Sequence, residues 1–393
     1  MSWKIKRILG ALLGSWRIGR WIEDRLRRAI RWFKTERGIK LDLSWSKRIW
    51  ALRHGFYSDR IVLYGLSRKN LANYVPDIDY ERLHPINGPF SRLIDGKFGL
   101  VFTLKDFPDY LPKTHYYVRD GLAYGLTKEL PACKRYEPAL VADLLGHQGK
   151  LILKPESGSG GEGVRRLERE FDRWALDGRP CSEQDVLHVL HGLNDHLVCE
   201  CVQQHEYARQ LFPHSTNTIR FITLRDDDTL EPFFVTSFHR VGTSLSQPVD
   251  NLAAGGLLGA VDLETGELGQ FTRWPVTTKL EWFNCHPESG EPLKGVVVPE
   301  WKRLKERVLD VSRKLPFITL MGYDVAVTTE GMKILEINSL PTMLPQIYQP
   351  YMQLPAVARF FQKRMPNLSR ISRPQGVAAA HREPEAAAVP DRR

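Results

Sequence analysis

Residues 322–338 read GYDVAVTTEGMKILEIN, and the fold of the chain turns on them. Two β-patterned runs, 323–328 and 332–338, flank a short turn ending in Gly331. That pattern reads as a three-residue hairpin loop with glycine in the left-handed position. With Thr328 opposite Met332, each outward step keeps the register, and Asp324 falls opposite Glu336. Side chains alternate along a strand, so Asn338 shares the face of Glu336. Three oxygen-bearing side chains thus converge on one patch of sheet. Two carboxylates in one patch repel each other unless a cation sits there, and oxygen ligands suit a hard divalent ion such as Mg²⁺. The ordinary alternative is a solvated sheet face, where most strand Asp and Glu residues are found.

Upstream, residues 151–164 read LILKPESGSGGEGV. A strand ends in Lys154-Pro155, and Gly158, Gly160, Gly161 and Gly163 follow. Glycines let backbone N–H groups approach phosphate oxygens closely, and a nearby ammonium group neutralises them. This is no Walker A loop, because the lysine precedes the glycines and no Gly-Lys-Ser/Thr closes it. GSGGEG satisfies GxGxxG by letter, but VRRLERE reads as a return strand rather than the helix a dinucleotide fold requires. In protein kinases the lysine lies downstream of the glycine hairpin instead.

The chain between these stretches reads as alternating strands and helices. Pro299 opens a helix whose apolar stripe is Trp301, Leu304, Val308, Val311 and Leu315, leading into the acidic hairpin. Strands 219–224 and 232–238 turn through Asp226, Asp227 and Asp228, and a second hairpin over 257–269 turns at Glu264-Thr265-Gly266. Residues 197–202 are again β. Ser182 caps a helix reaching about Leu193, with Asp185 completing the cap. Residues 140–145 and the run IVLYGLSRKNLANYVPD at 61–77 read as helical, the latter breaking near Pro76.

At 393 residues, two or three subdomains are expected. Of the formal net charge of +10, residues 1–40 account for most, holding 12 Lys or Arg against three Asp or Glu. A nucleic-acid enzyme would spread basic charge over its binding face, so this distribution argues against one. Within that arm Ile5, Ile8, Leu9, Leu12, Trp16, Ile22, Leu26, Ile30 and Phe33 recur at nearly helical spacing. The uncharged run 8–16 is too short to span a bilayer, which takes about 20 residues. The arm either lies on an anionic inner-membrane surface or packs on the protein's own core or a partner. Five scattered cysteines without a CxxC pair imply reduced thiols in a cytoplasmic protein. Beyond Leu368 the composition predicts a disordered tail.

Taken together, Lys-Pro with its glycine hairpin, the strand and hinge ECVQQHEY at 200–207, and the terminal D…ExN hairpin resemble the ATP-grasp family. More narrowly, NTIRFIT at 217–223 and VDNLAAGGLLGAVDLETG at 249–266 are similar to its sugar-transfer-associated subgroup, named for its occurrence beside polysaccharide and capsule synthesis genes. The resemblance covers about residues 56–351. It implies an α+β fold in which two lobes sandwich ATP, with Mg²⁺, two ions, bridging the phosphates. The corresponding limits are a basic arm (1–40), an N-terminal α/β region (41–145), a small lobe (146–202), a large lobe (203–352) and a C-terminal helix and tail (353–393).

The resemblance also assigns roles. Lys154 meets the α- and β-phosphates, and the hairpin with Ser157, Gly158, Gly160 and Gly161 closes over them. Lys97 matches the first phosphate-binding lysine, although the acidic residue expected directly before it is Gly96 here; Lys105, Lys113 and Lys128 are rivals. Glu200, Cys201 and Val202 form the hinge against adenine, and Glu206 reaches the ribose. Asp324, Glu336 and Asn338 match the Mg²⁺ ligands.

Most ATP-grasp enzymes let a substrate carboxylate attack the γ-phosphorus, and an amine then displaces phosphate from the acylphosphate. Bringing two anions together demands fixed cations. Arg220 and Arg240 stand in paired strands where they can supply that charge, or serve as ordinary strand salt-bridge partners. Asp250 and Asn251 either orient the substrate or only cap their loop, and His239 reads as structural. The expected function is therefore a carboxylate–amine ligase in the cytoplasm or peripheral on the inner membrane face. A phosphotransferase acting on a hydroxyl or phosphate, and a nucleotide-binding scaffold at the membrane, remain open.

Overall fold

The computed structural model describes residues 29–158 and 160–365. Most of the basic arm, and the tail expected to be disordered, lie outside them. Residues 29–38 are helical, and Glu36 ties them to the body of the protein. Its carboxylate accepts hydrogen bonds from Arg48 Nη1 (2.9 Å), Ser58 N (3.1 Å) and Ser58 Oγ (2.6 Å). Among the described residues no helix is long and apolar enough to cross a membrane.

Two antiparallel sheets organise the chain. The first holds β1 (Thr114–Arg119), β2 (Leu122–Gly125), β3 (Lys134–Arg135), β4 (Lys150–Pro155), β5 (Arg165–Glu170), β6 (Arg173–Leu176), β7 (Arg179–Cys181) and β8 (His196–Glu200). Their spatial order is β3-β2-β1-β8-β4-β5-β6-β7. Because β1 pairs with β8, strands from both sides of the limit expected at residue 146 form one sheet. The helices Pro138–Gln148 and Glu183–His191 cover it with Val141, Leu145, Val186 and Leu190, all fully buried. The second helix carries the expected capping box, with Asp185 N donating to Ser182 Oγ and Ser182 N to Asp185 Oδ2.

The second sheet holds β9 (Ile219–Arg225), β10 (Pro232–Val241), β11 (Leu257–Val261), β12 (Leu268–Arg273), β13 (Trp282–Phe283), β14 (Leu320–Thr328) and β15 (Gly331–Asn338). Their order is β13-β12-β11-β10-β9-β14-β15. Alternation divides each strand between two faces. One face packs Ile219, Phe221, Tyr323, Val325, Ile334 and Ile337 under the helix Trp301–Lys314, whose buried stripe is the one its spacing predicts. At one end of the other face, Ile222 and Leu224 pack with Val75, Tyr80 and the helix Pro355–Arg364. The opposite end of that face is left open.

Two local expectations are corrected. The 61–77 run is not one helix: a single turn, Arg60–Leu63, is followed by a short 3₁₀ segment, Leu71–Asn73. Gly65 sits at φ +56°, and Asn70 Oδ1 accepts from Ser67 N (2.8 Å), so local side-chain bonding wins over helix propagation. The acidic hairpin has a two-residue loop, with Thr328 facing Gly331 and Val327 facing Met332. A β-bulge at Leu335, between the pairs Val325–Ile334 and Asp324–Glu336, restores the expected acidic pairing.

Candidate active site

The open end of the second sheet is built by register. Phe238, Arg220, Asp324 and Glu336 stand side by side on β10, β9, β14 and β15, each directly opposite the next. Arg240, two residues after Phe238, lies on the same face and opposite Leu258 of β11. Arg220 grips both oxygens of Asp324 through Nε and Nη2. Arg240 Nη2 reaches Asp324 Oδ2 (2.9 Å), Thr218 Oγ1 (2.7 Å) and Asp250 Oδ1 (3.2 Å). Asp250 Oδ2 in turn accepts from Thr218 N (2.7 Å) and Thr218 Oγ1 (2.5 Å). A cation does sit among the carboxylates, as electrostatics requires, but the protein supplies it as two guanidinium groups.

This row floors a cavity of ≈ 340 Å³ between the two sheets. Lys97, Lys154, Gly160, Gly161, Glu200 and Val202 face it from the other side. The glycine loop nearly touches the floor: a Cβ on Gly160 would lie 2.8 Å from Asn251 Nδ2, and one on Gly161 2.8 Å from Val249. Both glycines also have φ near +78°, so a side chain there is excluded by contact and by backbone geometry together. Lys97 Nζ donates to the Gly158 carbonyl (3.3 Å). A carboxylate from the glycine loop lies beside position 96. Glu156 Oε2 accepts from Phe98 N (2.6 Å), and a Cβ on Gly96 would lie 2.9 Å from Glu156 Oε1.

The sequence of residues 132–354 matches the family model described as sugar-transfer associated ATP-grasp, more than half of the chain. The chain belongs to this family. No curated protein sequence matches it. Among solved structures it is similar to the N5-carboxyaminoimidazole synthetase of Staphylococcus aureus, at 10% identity and a TM-score of 0.34 over 64% of this chain and 45% of that one. It is also similar to D-alanyl-alanine synthetase A of Vibrio cholerae O1 biovar eltor, at 13% identity, a TM-score of 0.37 and 71% and 67% coverage. A third is the biotin carboxylase domain of the Hydrogenobacter thermophilus 2-oxoglutarate carboxylase, at 11%, 0.38, 69% and 45%. The chain thus spans less than half the length of two of these three proteins.

The ATP-grasp fold brings Lys97, Lys154, Gly160, Gly161, Glu200, Val202, Arg220, Arg240, Asp250, Asn251, Asp324, Glu336 and Asn338 to one cavity. Cys201, Ser157, Gly158 and Glu206 do not line it. Ser157 and Gly158 are exposed at the outer part of the glycine loop. Glu206 begins the helix Glu206–Leu211 and pairs with Arg209 in solvent, away from the cavity, because the chain turns after Val202. Of the candidate first lysines, Lys97 lines the cavity, and Lys105, Lys113 and Lys128 do not.

The donor set fits Mg²⁺. Burial pushes the Asp324 carboxyl up, but the charges and hydrogen bonds of Arg220 and Arg240 outweigh it and hold it below the usual carboxylate range. Glu336 is pushed up, first by burial and then by the negative charge of Asp324, with Lys97 and the two arginines only partly offsetting this. A largely desolvated carboxylate beside another carboxylate favours an added cation. Asn338, half-buried on the same face, could offer its side-chain Oδ1 as a further oxygen ligand.

His239 points to the opposite face and is fully buried. Its Nδ1 lies 2.9 Å from the Arg240 carbonyl, to which it donates, and Tyr207 OH donates to Nε2 (3.1 Å). Burial, with a further push from the Arg240 charge, lowers its pKa to about 4. The unfolded chain binds this proton near pH 6.5 and the folded protein only near 4, so stability is full above 6.5 and is lost as pH falls towards 4. The loss amounts to roughly 3 kcal/mol. Thermal unfolding from pH 7 to 4 is expected to show a flatter profile for His239→Gln than for the native protein. Equal slopes would remove the assignment.

The sequence reading missed Glu156, Leu335 and Trp274. Leu335 enters the cavity only because of the bulge, and Trp274 is distant from every motif. The isolated carboxylate in KPESG was the one available signal for Glu156.

Proposed function

We propose that this protein is an ATP-dependent carboxylate–amine ligase that forms an amide through an acylphosphate. The observation that carries this reading is the Phe238–Arg220–Asp324–Glu336 row, with Arg240 beside it, facing Lys97, Lys154 and the glycine loop across one cavity. Lys154, Lys97 and the backbone of the loop bind the phosphates of ATP, and Glu200 and Val202 face the base. Asp324, Glu336 and Asn338 would hold Mg²⁺, which when bound neutralises phosphate charge and polarises the γ-phosphoryl group.

A substrate carboxylate oxygen attacks the γ-phosphorus and ADP leaves. The amine nitrogen then attacks the acyl carbon, phosphate leaves, and the nitrogen loses a proton. Arg220 and Arg240, fixed in a half-buried site, neutralise the incoming carboxylate and the charge spreading over the phosphoryl oxygens. Because both already hydrogen-bond to Asp324, their orientation is set before substrate arrives, so less reorganisation opposes the reaction. Asp250 aims Arg240, and Asn251 stands where the glycine loop closes. The family description supports a role beside glycan assembly in the cell envelope.

Hydroxylamine stands in for the amine in the test. Protein, Mg²⁺, ATP and pooled carboxylic acids should give ADP, phosphate and a hydroxamate in at least one pool. ADP with a stable phosphorylated product and no hydroxamate would replace this reading with phosphotransfer.

A further inference from the structure

Across the second sheet the cavity changes chemistry in one direction. The carboxylates and Asn338 stand on β14 and β15, the guanidinium groups on β9 and β10, and beyond them lies an apolar wall. That wall consists of Phe238, Leu252, Leu258, Trp274 and Leu344. Phe238, Leu252 and Leu258 belong to the same buried core as Tyr351 and Phe360, and half-buried Trp274 and Leu344 form its margin on the cavity. The hinge is at the opposite side, since Gln204 bridges to Thr328 and Lys333 Nζ lies 3.9 Å from Glu200 Oε1. A nucleotide seated against the hinge directs its phosphates to the arginines and leaves the apolar wall to the second substrate.

The carboxylate and the acceptor oxygens at this end are already engaged. Asp250 is held by Thr218 and Arg240. Asn251 Oδ1 accepts from Ala253 N (2.8 Å), and Thr342 Oγ1 from Leu344 N (3.3 Å). Beyond the guanidinium groups, among the described residues no charged side chain other than Asp250 lines this part of the cavity. An ammonium group placed here would lose its water without a free acceptor to pair with, and a ring of hydroxyls would face mostly carbon, whereas an apolar body would complete the core margin.

We infer that the acid substrate is an amphiphile, a carboxylate on an aromatic or aliphatic body, rather than a zwitterionic amino acid or a sugar acid. This rests on the ligase reading for the placement of the carboxylate, and on the wall alone for the body. Its orientation follows: carboxylate on Arg220 and Arg240, body against Trp274 and Leu344.

The test is direct binding to the full chain in the presence of Mg²⁺ and ADP, by saturation-transfer NMR. 3-Phenylpropionate and octanoate are compared with L-alanine and glucuronate. The two apolar acids should bind, and Trp274→Ala should weaken them about tenfold or more while ADP affinity stays within about twofold. Leu344→Gln, on a separate segment of the wall, should weaken them as well and guards against one variant failing to fold. Tighter binding of alanine or glucuronate, or apolar binding unchanged in both variants, would overturn the inference. The hydroxamate assay separates the two claims. Apolar acids that bind but give neither hydroxamate nor ADP remove the ligase reading and keep the pocket, and hydroxamate from the hydrophilic acids alone does the reverse.

Discussion

Glu336→Gln should lower Mg²⁺-dependent ADP release by about 10²–10³-fold while leaving the fold at least as stable as the native protein. The two effects have one origin. Glu336 is half-buried beside Asp324, and both the loss of solvent and that neighbouring charge disfavour its ionised form. Without a cation, a neutral amide of the same shape removes a repulsion and the cost of burying a charge. With a cation it removes a ligand. Thermal unfolding without Mg²⁺ measures the first effect, and a coupled ADP assay the second. Full ADP release by the variant would dismiss the metal assignment, and a clear loss of stability would contradict the electrostatic account of the row.

Arg240→Gln should destabilise the protein by about 3–5 kcal/mol, in addition to slowing turnover. One nitrogen, Nη2, serves Asp324, Asp250 and Thr218, so the substitution withdraws a positive charge from two buried carboxylates at once. Asp324 keeps Arg220, whereas Asp250 is left with only the Thr218 donors. Adding Asp250→Asn should therefore restore part of the lost stability, which a chemical-denaturation double-mutant cycle would read as coupling. Arg240→Lys keeps the charge but loses the planar fork, including the Nε bond to Thr218 Oγ1 (3.1 Å), and should fall between. An unfolding midpoint for Arg240→Gln equal to the native one would show that the network does not hold the sheet end together.

The acidic hairpin illustrates how a shared strand face is read correctly through an incorrect detail. Period-two alternation placed Asp324, Glu336 and Asn338 on one face, and that survives because alternation is a property of any strand. The loop was one residue shorter than expected, which alone would have turned the acidic pair out of register. The bulge at Leu335 cancels the slip. Bulges depend on how a strand must twist over its neighbours, and nothing in KILEIN announces one. The 61–77 run failed for a related reason. Its apolar spacing suits a helix, but Gly65 and the Ser67–Asn70 bond offer the backbone a local alternative.

By itself the sequence determined what its local periodicities encode: the strand pairs, the capped helix at Ser182, the stripe of the helix Trp301–Lys314, and a glycine loop preceded by lysine. Only the tertiary structure decided charge balance and shape. Arg220 meets Asp324 across 104 positions of chain, Glu156 packs beside Gly96, and Trp274 reaches the cavity from a strand end without a motif. The difference is physical. Secondary structure follows from the repeat of neighbouring side chains, whereas electrostatic pairing and pocket shape depend on which distant strands lie side by side, and that is settled by burying the whole core at once.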